Sequence, residues 1–313
     1  ARQSQEPGLI LEAHHELWAN LSVLGELTSA LTHLDGGFSL YDPHKHRHHA
    51  FLYGGHDPGV CCGFHAAEVL WLLGYPDQAL QRSHDALALA RELAHPSTLD
   101  TALSFTAWFH YHRGDGHAVR ARVEEGIALA TEQGFSRART QVAFLQGWLL
   151  FEQGRQAAGM AQMFKVLASE RDRGGAVRWN GPYAALMAEV CRKAGQTANG
   201  LQALNDALVR VHQTECRYFE AELHRVMGEL ILTQTAADER QAESCFAEAI
   251  RVSRFQEAKS LELRAAMSLS RLWQRQGKMD EARQLLGDSY GWFTEGFDTA
   301  DLKQAKALLQ ELT

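Results

Sequence analysis

Histidine is concentrated in one stretch of the chain, "HKHRHHAFLYGGHDPGVCCGFH", which runs from His44 to His65 and holds six of the 16 histidines. Neutral imidazole is the commonest protein ligand for transition metals, and it binds Zn, Ni, Cu or Fe. His46 and His49 are three residues apart, so they would share one face of a helical segment. The stretch therefore predicts a transition-metal site formed by His46, His49, His56 and His65.

The helix expected after this stretch adds two further ligand types. Asp57 and Pro58 are typical of an N-cap and a first helical turn, so a helix should begin here. Cys61 and His65 are four residues apart and would share a face of that helix, where Cys61 or Asp57 could support the metal site. However, neither an H-E-x-x-H motif nor a paired C-x-x-C motif occurs. The alternative that these histidines are structural or surface residues stays open.

Aromatic residues form a second candidate site, because they recur at fixed distances before glycine-centred turns. Positions 13, 10, 6 and 3 before such a glycine would lie on one face of a helix. In three successive segments this face carries large rings, and rigid aromatics provide contact area at low entropic cost. We therefore predict a concave groove that binds a protein segment or a small effector. Its predicted residues are Phe64, Glu68, Trp71, Trp108, Tyr111, His112, Phe144 and Trp148.

The equivalent helix face becomes charged in the C-terminal half of the chain. Arg192, Arg264 and Arg271 occupy it and would attract an acidic partner. A histidine and a glutamate near the aromatic end of the groove could also support acid–base chemistry. No G-x-S-x-G motif or other recognisable nucleophile pattern occurs, so we expect binding rather than catalysis. The alternative for the rings is burial against neighbouring helices as the array twists.

The elements that position these residues are indicated by the glycine-centred turns, which form a repeat. The turns follow one another at intervals of about 40 residues, apart from one interval of 49 and one double interval around residue 236. Small residues precede and follow the glycines at constant offsets, as closely packed antiparallel helix pairs require. Glycine also accepts the left-handed conformation that ends many helices. The turn glycines are Gly25, Gly74, Gly114, Gly154, Gly195 and Gly277.

The repeat predicts an all-α chain, a right-handed α-solenoid of about seven long tetratricopeptide-like helix pairs with a C-terminal capping helix. The long interval places a histidine-rich insertion between the first and second pairs. We expect a single domain over residues 1–313, made of a first pair at 9–40, the insertion at 41–57, pairs two to seven at 58–298 and the capping helix at 299–313. The segment "WFTEGFDT" is expected to pack Trp292, Phe293 and Phe297 onto the last repeat.

Composition argues against several classes of protein. The net charge is −7 and Lys and Arg form no run, so a nucleic-acid surface is not expected. The five cysteines are odd in number and, apart from the adjacent Cys61 and Cys62, far apart, which favours a reducing, cytoplasmic location over a disulfide framework. No apolar run approaches the roughly 20 residues that span a bilayer, and no P-loop motif occurs. Because the chain begins with Ala, we expect a piece of a longer protein or a processed product.

Several segments resemble one bacterial family of multidomain signalling proteins. They include "LYGGHDPGVCC", "LWLLGYPDQAL", "AELHRVMGELIL" and "YGWFTEGFDTADLKQAKALL". They are similar to the C-terminal tetratricopeptide (MalT-like) region of proteins that carry a class III adenylate/guanylate cyclase domain or a transcription-factor-like domain, followed by an AAA-type ATPase domain. The resemblance implies a solenoid fold and a sensory or scaffolding role beside such domains. Histidines matching His46, His49 and His56 are common in that family, so they could serve the fold as easily as a metal.

Overall fold

The computed structural model describes residues 6–135, 139–172, 177–234 and 238–313, and within these ranges the chain contains helices and turns but no strand. A short 3-10 helix, Val177–Trp179, precedes the eleventh α-helix. The α-helices are α1 (Pro7–Leu24), α2 (Leu27–Leu40), α3 (Pro43–His46), α4 (His49–Leu52), α5 (Pro58–Leu73), α6 (Pro76–Leu93), α7 (Pro96–Arg113), α8 (Gly116–Gln133), α9 (Arg139–Glu152), α10 (Gln156–Asp172), α11 (Asn180–Lys193), α12 (Thr197–Thr214), α13 (Glu220–Ile231), α14 (Glu239–Phe255), α15 (Lys259–Arg275), α16 (Met279–Gly291) and α17 (Ala300–Glu311).

The predicted α-solenoid is confirmed by the way these helices pack. Long helices pair as α1–α2, α5–α6, α7–α8, α9–α10, α11–α12, α13–α14 and α15–α16, and α17 packs on the last pair. Each pair buries its apolar face against the next pair, which is how a solenoid builds a continuous core. None of the helices in the described ranges is long and apolar enough to cross a membrane.

The predicted turn glycines end helices in the left-handed conformation. Gly25, Gly74 and Gly114 have φ angles of 83°, 91° and 77°. The three later turn glycines also have positive φ angles. This conformation carries a steric cost for residues with a Cβ atom, so glycine is favoured at these C-caps. The turn expected near residue 236 lies partly outside the described residues, but helices end and begin on either side of it.

The histidine-rich insertion contains two single-turn helices, α3 and α4. Asp42 caps α3, since its side chain accepts a hydrogen bond from the backbone N–H of His44 at 2.9 Å. Asp57 is the N-cap of α5, as expected, and its Oδ1 accepts hydrogen bonds from the N–H groups of Gly59 and Val60. The insertion therefore leads directly into the first helix of the second pair.

The array curves so tightly that its C-terminal repeats contact its N-terminal repeats. Helix α15 packs against α5. The guanidinium of Arg264 on α15 donates a hydrogen bond to the carbonyl oxygen of His112 on α7, at 2.6 Å. The backbone N–H of Arg217 donates to the carbonyl oxygen of Val23, at 2.7 Å. The first helices of distant repeats therefore face each other across a narrow interior.

The segment before α17 strengthens this closure. The carboxylate of Glu295 accepts hydrogen bonds from the N–H groups of Asp77 and Gln78, at 2.9 and 3.1 Å, and thereby caps α6 from the far end of the chain. Phe293 is 6% exposed and packs among residues of the last repeat, as expected. Phe297 is 50% exposed, and its ring lies against Tyr290 of the last repeat, with centroids 6.1 Å apart.

Candidate functional site

Four of the predicted groove rings lie in the core of the protein instead of on its surface. Phe64 and Trp71 are each 3% exposed, Trp108 is 2% exposed and Phe144 is fully buried. The rings stack on partners from other repeats, for example Phe144 on Tyr183 at 4.4 Å between centroids. Because the tight curvature brings distant repeats together, these rings are buried as the alternative interpretation requires. The remaining void among them is about 10 Å³, which is too small for a ligand.

Two polar residues of the predicted groove lie with them, His112 buried and Glu68 half-buried. Glu68 forms an ion pair with Arg178. His112 is 4% exposed and its ring stacks on Trp71, with centroids 5.0 Å apart. Burial, together with the nearby Arg264 guanidinium, lowers the pKa of His112 to about 3, so the ring is neutral at physiological pH. These side chains, which were predicted to line the concave groove, are therefore enclosed by neighbouring helices, apart from Glu68, which is half-buried and paired with Arg178.

An open cavity of about 620 Å³ lies further along the concave face. Its wall is formed by α7, the start of α8, α9, α11, α13, α15 and α17. The predicted residues Tyr111 and Trp148 line it and are half-buried, and Arg264 and Arg271 line it as well. Arg192 is not among the lining residues, so the structure does not bring it to the cavity. Of the residues predicted to line the groove, the cavity is therefore lined by Tyr111, Trp148, Arg264, Arg271 and no others.

Charged residues in this cavity are mostly paired with one another. Arg225 contacts Glu222 and Glu189, each at 2.8 Å. Arg264 contacts Asp301 at 2.8 Å. Burial raises the pKa of Glu222, but the Arg225 and Arg264 guanidiniums outweigh this effect and lower it to about 2. The wall is therefore a fixed array of charges.

Arg271 differs from Arg264, the other arginine on α15 that lines the cavity. Its side chain is exposed and has no ion pair with any residue in the described ranges. The same holds for Arg120 on the opposite wall. Five cationic and four acidic side chains line the cavity in total. The excess positive charge lies where a ligand carboxylate could reach it.

A second candidate site surrounds the thiol of Cys61 on α5. The Nε2 atom of His15 lies 3.1 Å from the Cys61 sulphur. The rings of His15 and His56 are 5.6 Å apart, and His56 also contacts this thiol. Ligand atoms of His15, His56 and Cys61 all lie within 4.8 Å of one another. Among the residues that the structure describes, these three form a group whose ligand atoms are close enough together to hold a metal ion.

Helix α1 contributes His15 to this cluster and Glu12 beside it. Nδ1 of His15 donates a hydrogen bond to the Oε2 atom of Glu12 at 3.1 Å, three residues earlier on the same helix. The other carboxylate oxygen of Glu12 lies 2.6 Å from Nδ1 of His49. Sequence reasoning missed Glu12 and His15, because only the packing of α1 on α5 brings them to the insertion.

The predicted metal ligands separate into two groups. His56 and His65 lie beside Cys61, and His65 is 6% exposed. His49 bonds to Glu12, whereas Nδ1 of His46 accepts a hydrogen bond from the N–H of Asp42 at 3.0 Å. The structure therefore does not gather His46, His49, His56 and His65 around one point, because His46 closes its own turn and His49 is held by Glu12.

The electrostatics of the cluster favour a charged sulphur. Burial raises the pKa of the Cys61 thiol, but the neighbouring imidazoles of His56, His15 and His65 outweigh this effect and lower it well below its usual range. Burial and Arg178 lower the pKa of His65 to about 4, so its ring is neutral. A thiolate surrounded by imidazoles could act as a metal ligand set or as an activated nucleophile.

Comparison with known proteins supports the fold more than the activity. No protein-family model matches the chain. An uncharacterised protein of Rhizobium meliloti (strain 1021) is 26% identical over 274 residues. The match covers 86% of this chain and 26% of that protein, so the chain spans about a quarter of the length of the curated relative that it matches.

Among solved structures, the chain is similar to NprR in complex with its cognate peptide NprX, with a TM-score of 0.56 and 12% identity. That match covers 96% of this chain and 82% of NprR. A weaker match is the TPR2AB domain of yeast Sti1, with a TM-score of 0.33 and 11% identity, covering 97% of this chain and 99% of that one. Another is the TPR domain of P58(IPK), with a TM-score of 0.26 and 15% identity, covering 96% of this chain and 98% of that one. The likeness to NprR shows that the two chains share a fold.

Proposed function

We propose that this chain is a binding module that holds an acidic peptide segment in the cavity on its concave face. The cavity carries this proposal, because its volume of about 620 Å³ is within the range of ligand sites in proteins. The half-buried rings of Tyr111 and Trp148 stand 5.2 Å apart, edge to face, and offer apolar contact area. Such rings can act as anchors for a side chain of the bound segment.

The charged residues of the cavity wall indicate which kind of peptide segment would bind. Glu189, Glu222 and Asp301 are already paired with arginines, so their charges are largely compensated. Arg271 has no ion pair in the described ranges and keeps its donors available to a ligand, whereas Arg120 on the opposite wall donates to the side-chain oxygen of Gln153 at 3.2 Å. Arginine binds carboxylates through two parallel hydrogen bonds. We therefore assign an acidic side chain or a C-terminal carboxylate to this part of the cavity.

The fold is compatible with such a role. NprR, which shares the fold, is known in complex with a peptide. Arrays of helix pairs present a long concave surface that extended segments can follow. A small acidic effector is the alternative occupant, because the same cavity would enclose it.

The proposal can be tested with labelled eight-residue peptides in which Asp or Glu alternates with apolar residues, using fluorescence anisotropy. We expect binding that weakens as the salt concentration rises, because part of the attraction is between exposed charges. Arg271→Gln and Trp148→Ala should each weaken binding at least about tenfold, which corresponds to about 1.4 kcal/mol. Arg275→Gln is the matched control, since Arg275 is exposed on the same helix but does not line the cavity.

The proposal fails if peptides with Asn and Gln in place of Asp and Glu bind equally well, or if Arg271→Gln binds like the parent protein. Binding of succinate or another small dicarboxylate with the same dependence on Arg271, but no peptide binding, would instead identify a small effector as the occupant.

We further propose that the chain works beside cyclase-type or ATPase-type signalling domains in the cytoplasm. The sequence resemblance supports this context, and the curated relative is about four times as long as the matched region. The five free cysteines suit a reducing compartment. The test is to measure nucleotide turnover by the full-length protein with and without the bound peptide. An unchanged rate would remove the regulatory part of the proposal.

A further inference from the structure

We propose that His15, His56 and Cys61 bind one zinc ion, with His65 as the fourth ligand, and that this ion joins α1 and the insertion to α5. The ligand atoms of the first three residues already converge within 4.8 Å. Tetrahedral zinc requires nitrogen and sulphur ligands about 3.3–3.6 Å apart, given its usual bond lengths. The distance of 3.1 Å from His15 Nε2 to the Cys61 sulphur is close to this value.

The second ring nitrogen of His15 is held as it is in known metal sites. Metal-bound histidines usually direct their other nitrogen to a carboxylate or a backbone carbonyl, which fixes the ring. His15 directs Nδ1 to the carboxylate of Glu12, at 3.1 Å, and keeps Nε2 towards the sulphur. The His56 ring lies next to Gly54. His15 is therefore fixed by one ring nitrogen, and its other nitrogen is available to the ion.

His65 provides an independent observation. It is 6% exposed, and its Nδ1 atom has no hydrogen-bond partner among the residues that the structure describes. A buried polar nitrogen without a partner is costly. His65 follows Cys61 by one helical turn, so its ring faces the same sulphur. A metal ion at this point would use a nitrogen that the protein otherwise leaves unsatisfied.

The chemistry of the ligand set favours zinc. One thiolate and imidazoles suit a borderline-soft divalent ion, whereas oxygen ligands would be expected for magnesium or calcium. Glu12 also bonds to His49, at 2.6 Å. A zinc ion that fixes His15 and Glu12 would therefore also fix His49 in the insertion. His65 lies outside the group whose ligand atoms converge within 4.8 Å, so its ring would have to move towards the ion to complete four ligands. With His65 bound, the coordination shell would be closed and the role structural, in keeping with the 2% exposure of Cys61.

The same residues could instead form a nucleophile with its base, since Cys61, His15 and Glu12 are linked by contacts of 3.1 Å. A nucleophile needs open space beside the sulphur for a substrate. The sulphur of Cys61 is surrounded by three imidazoles and is almost fully buried. The enclosure favours an ion over a substrate.

The test uses the full chain, purified without a histidine tag and stripped with a chelator, then titrated with Zn²⁺ and separately with Co²⁺. We expect one equivalent of either ion, and a visible spectrum typical of tetrahedral cobalt with a thiolate charge-transfer band. Cys61→Ser and His56→Gln should weaken zinc binding at least about 100-fold. Glu12→Gln should weaken it about 10-fold to 100-fold through the orientation of His15.

Histidines of the same insertion provide matched controls. His44 and His48 are exposed and lie outside the cluster, so His44→Gln and His48→Gln should leave zinc affinity and the cobalt spectrum unchanged. His46→Gln should also leave the zinc affinity unchanged, which separates this site from the one expected from sequence. The proposal is overturned by less than about a fifth of an equivalent of bound zinc, or by a Cys61→Ser protein that binds like the parent.

Alkylation of Cys61 by iodoacetamide, followed by mass spectrometry, keeps the test valid if a variant does not fold. Bound zinc should slow modification of this one cysteine strongly in the parent protein. Equal rates with and without zinc would overturn the metal site, and rapid modification in both states would favour a nucleophile.

Discussion

Asp100 on α7 is a buried carboxyl group whose charge the fold does not compensate. Its side chain is 5% exposed and its Oδ1 atom has no hydrogen-bond partner within the described ranges. Burial raises its pKa from 3.8 to about 6. Because the folded-state pKa lies above the unfolded one, this group lowers the free energy of unfolding as the pH rises through about 4 to 6.

Asp100→Asn should therefore increase the free energy of unfolding at pH 7 by about 2 kcal/mol, and change it much less at pH 4. Urea unfolding at the two pH values measures this difference. Asp280→Asn is the control, because that carboxylate is 86% exposed and should give no comparable pH dependence. A destabilised Asp100→Asn protein at pH 7 would contradict the interpretation.

Individual residues show where sequence reasoning reached its limit. Spacing was enough to place Cys61 and His65 on one face of α5, because helical periodicity is local. It could not associate them with His15, since that contact depends on how α1 packs against α5. The insertion also looked like one ligand set, although His46 and Cys61 lie in different environments.

At the scale of the elements, the turn glycines allow a matched comparison of backbone and packing effects. A Cβ atom at Gly74 would lie 2.6 Å from the Trp292 ring and 2.9 Å from Cβ of Lys259. At Gly277, which has a similar positive φ angle, no atom lies within 4 Å. Both substitutions by alanine incur the strain of the left-handed conformation, about 1–2 kcal/mol. Only the first also disturbs the closing contact.

We therefore expect Gly74→Ala to lower the free energy of unfolding by about 1–3 kcal/mol more than Gly277→Ala does. Chemical denaturation of both variants gives this difference directly. Equal losses would show that the segment around Trp292 does not press on the end of α5 in solution.

At the scale of the whole molecule, the repeat predicted the pairs but not the curvature. Each repeat specifies contacts with its neighbours, so a regular spacing of glycines identifies helix pairs and their order. The contacts of α15 with α5 and of Glu295 with α6 join repeats that are far apart in sequence. They depend on small rotations summed over many repeats, which the sequence pattern does not contain. This closure is also what converts most of the expected aromatic groove into core.

Arg264 makes several of the contacts that join the C-terminal repeats to the N-terminal repeats. Its guanidinium lies 5.0 Å from the Trp71 ring, donates to the carbonyl of His112 at 2.6 Å, and contacts Asp301 and Glu222. Arg264→Met should lower the free energy of unfolding by about 3 kcal/mol, because buried carboxylates lose a partner. Amide hydrogen exchange should quicken in α5 and α7 as well as in α15.

This pattern separates a closed array from an open one. In an open solenoid the effect of Arg264→Met would stay within α13, α15 and α17, because each repeat would depend on its neighbours alone. Faster exchange confined to those helices would therefore contradict the closure. Arg275→Gln, on the same helix and exposed, should leave exchange unchanged throughout. A response in α5 would show that the ends of the array stabilise each other, and hence that the cavity they enclose has a fixed shape before any peptide binds.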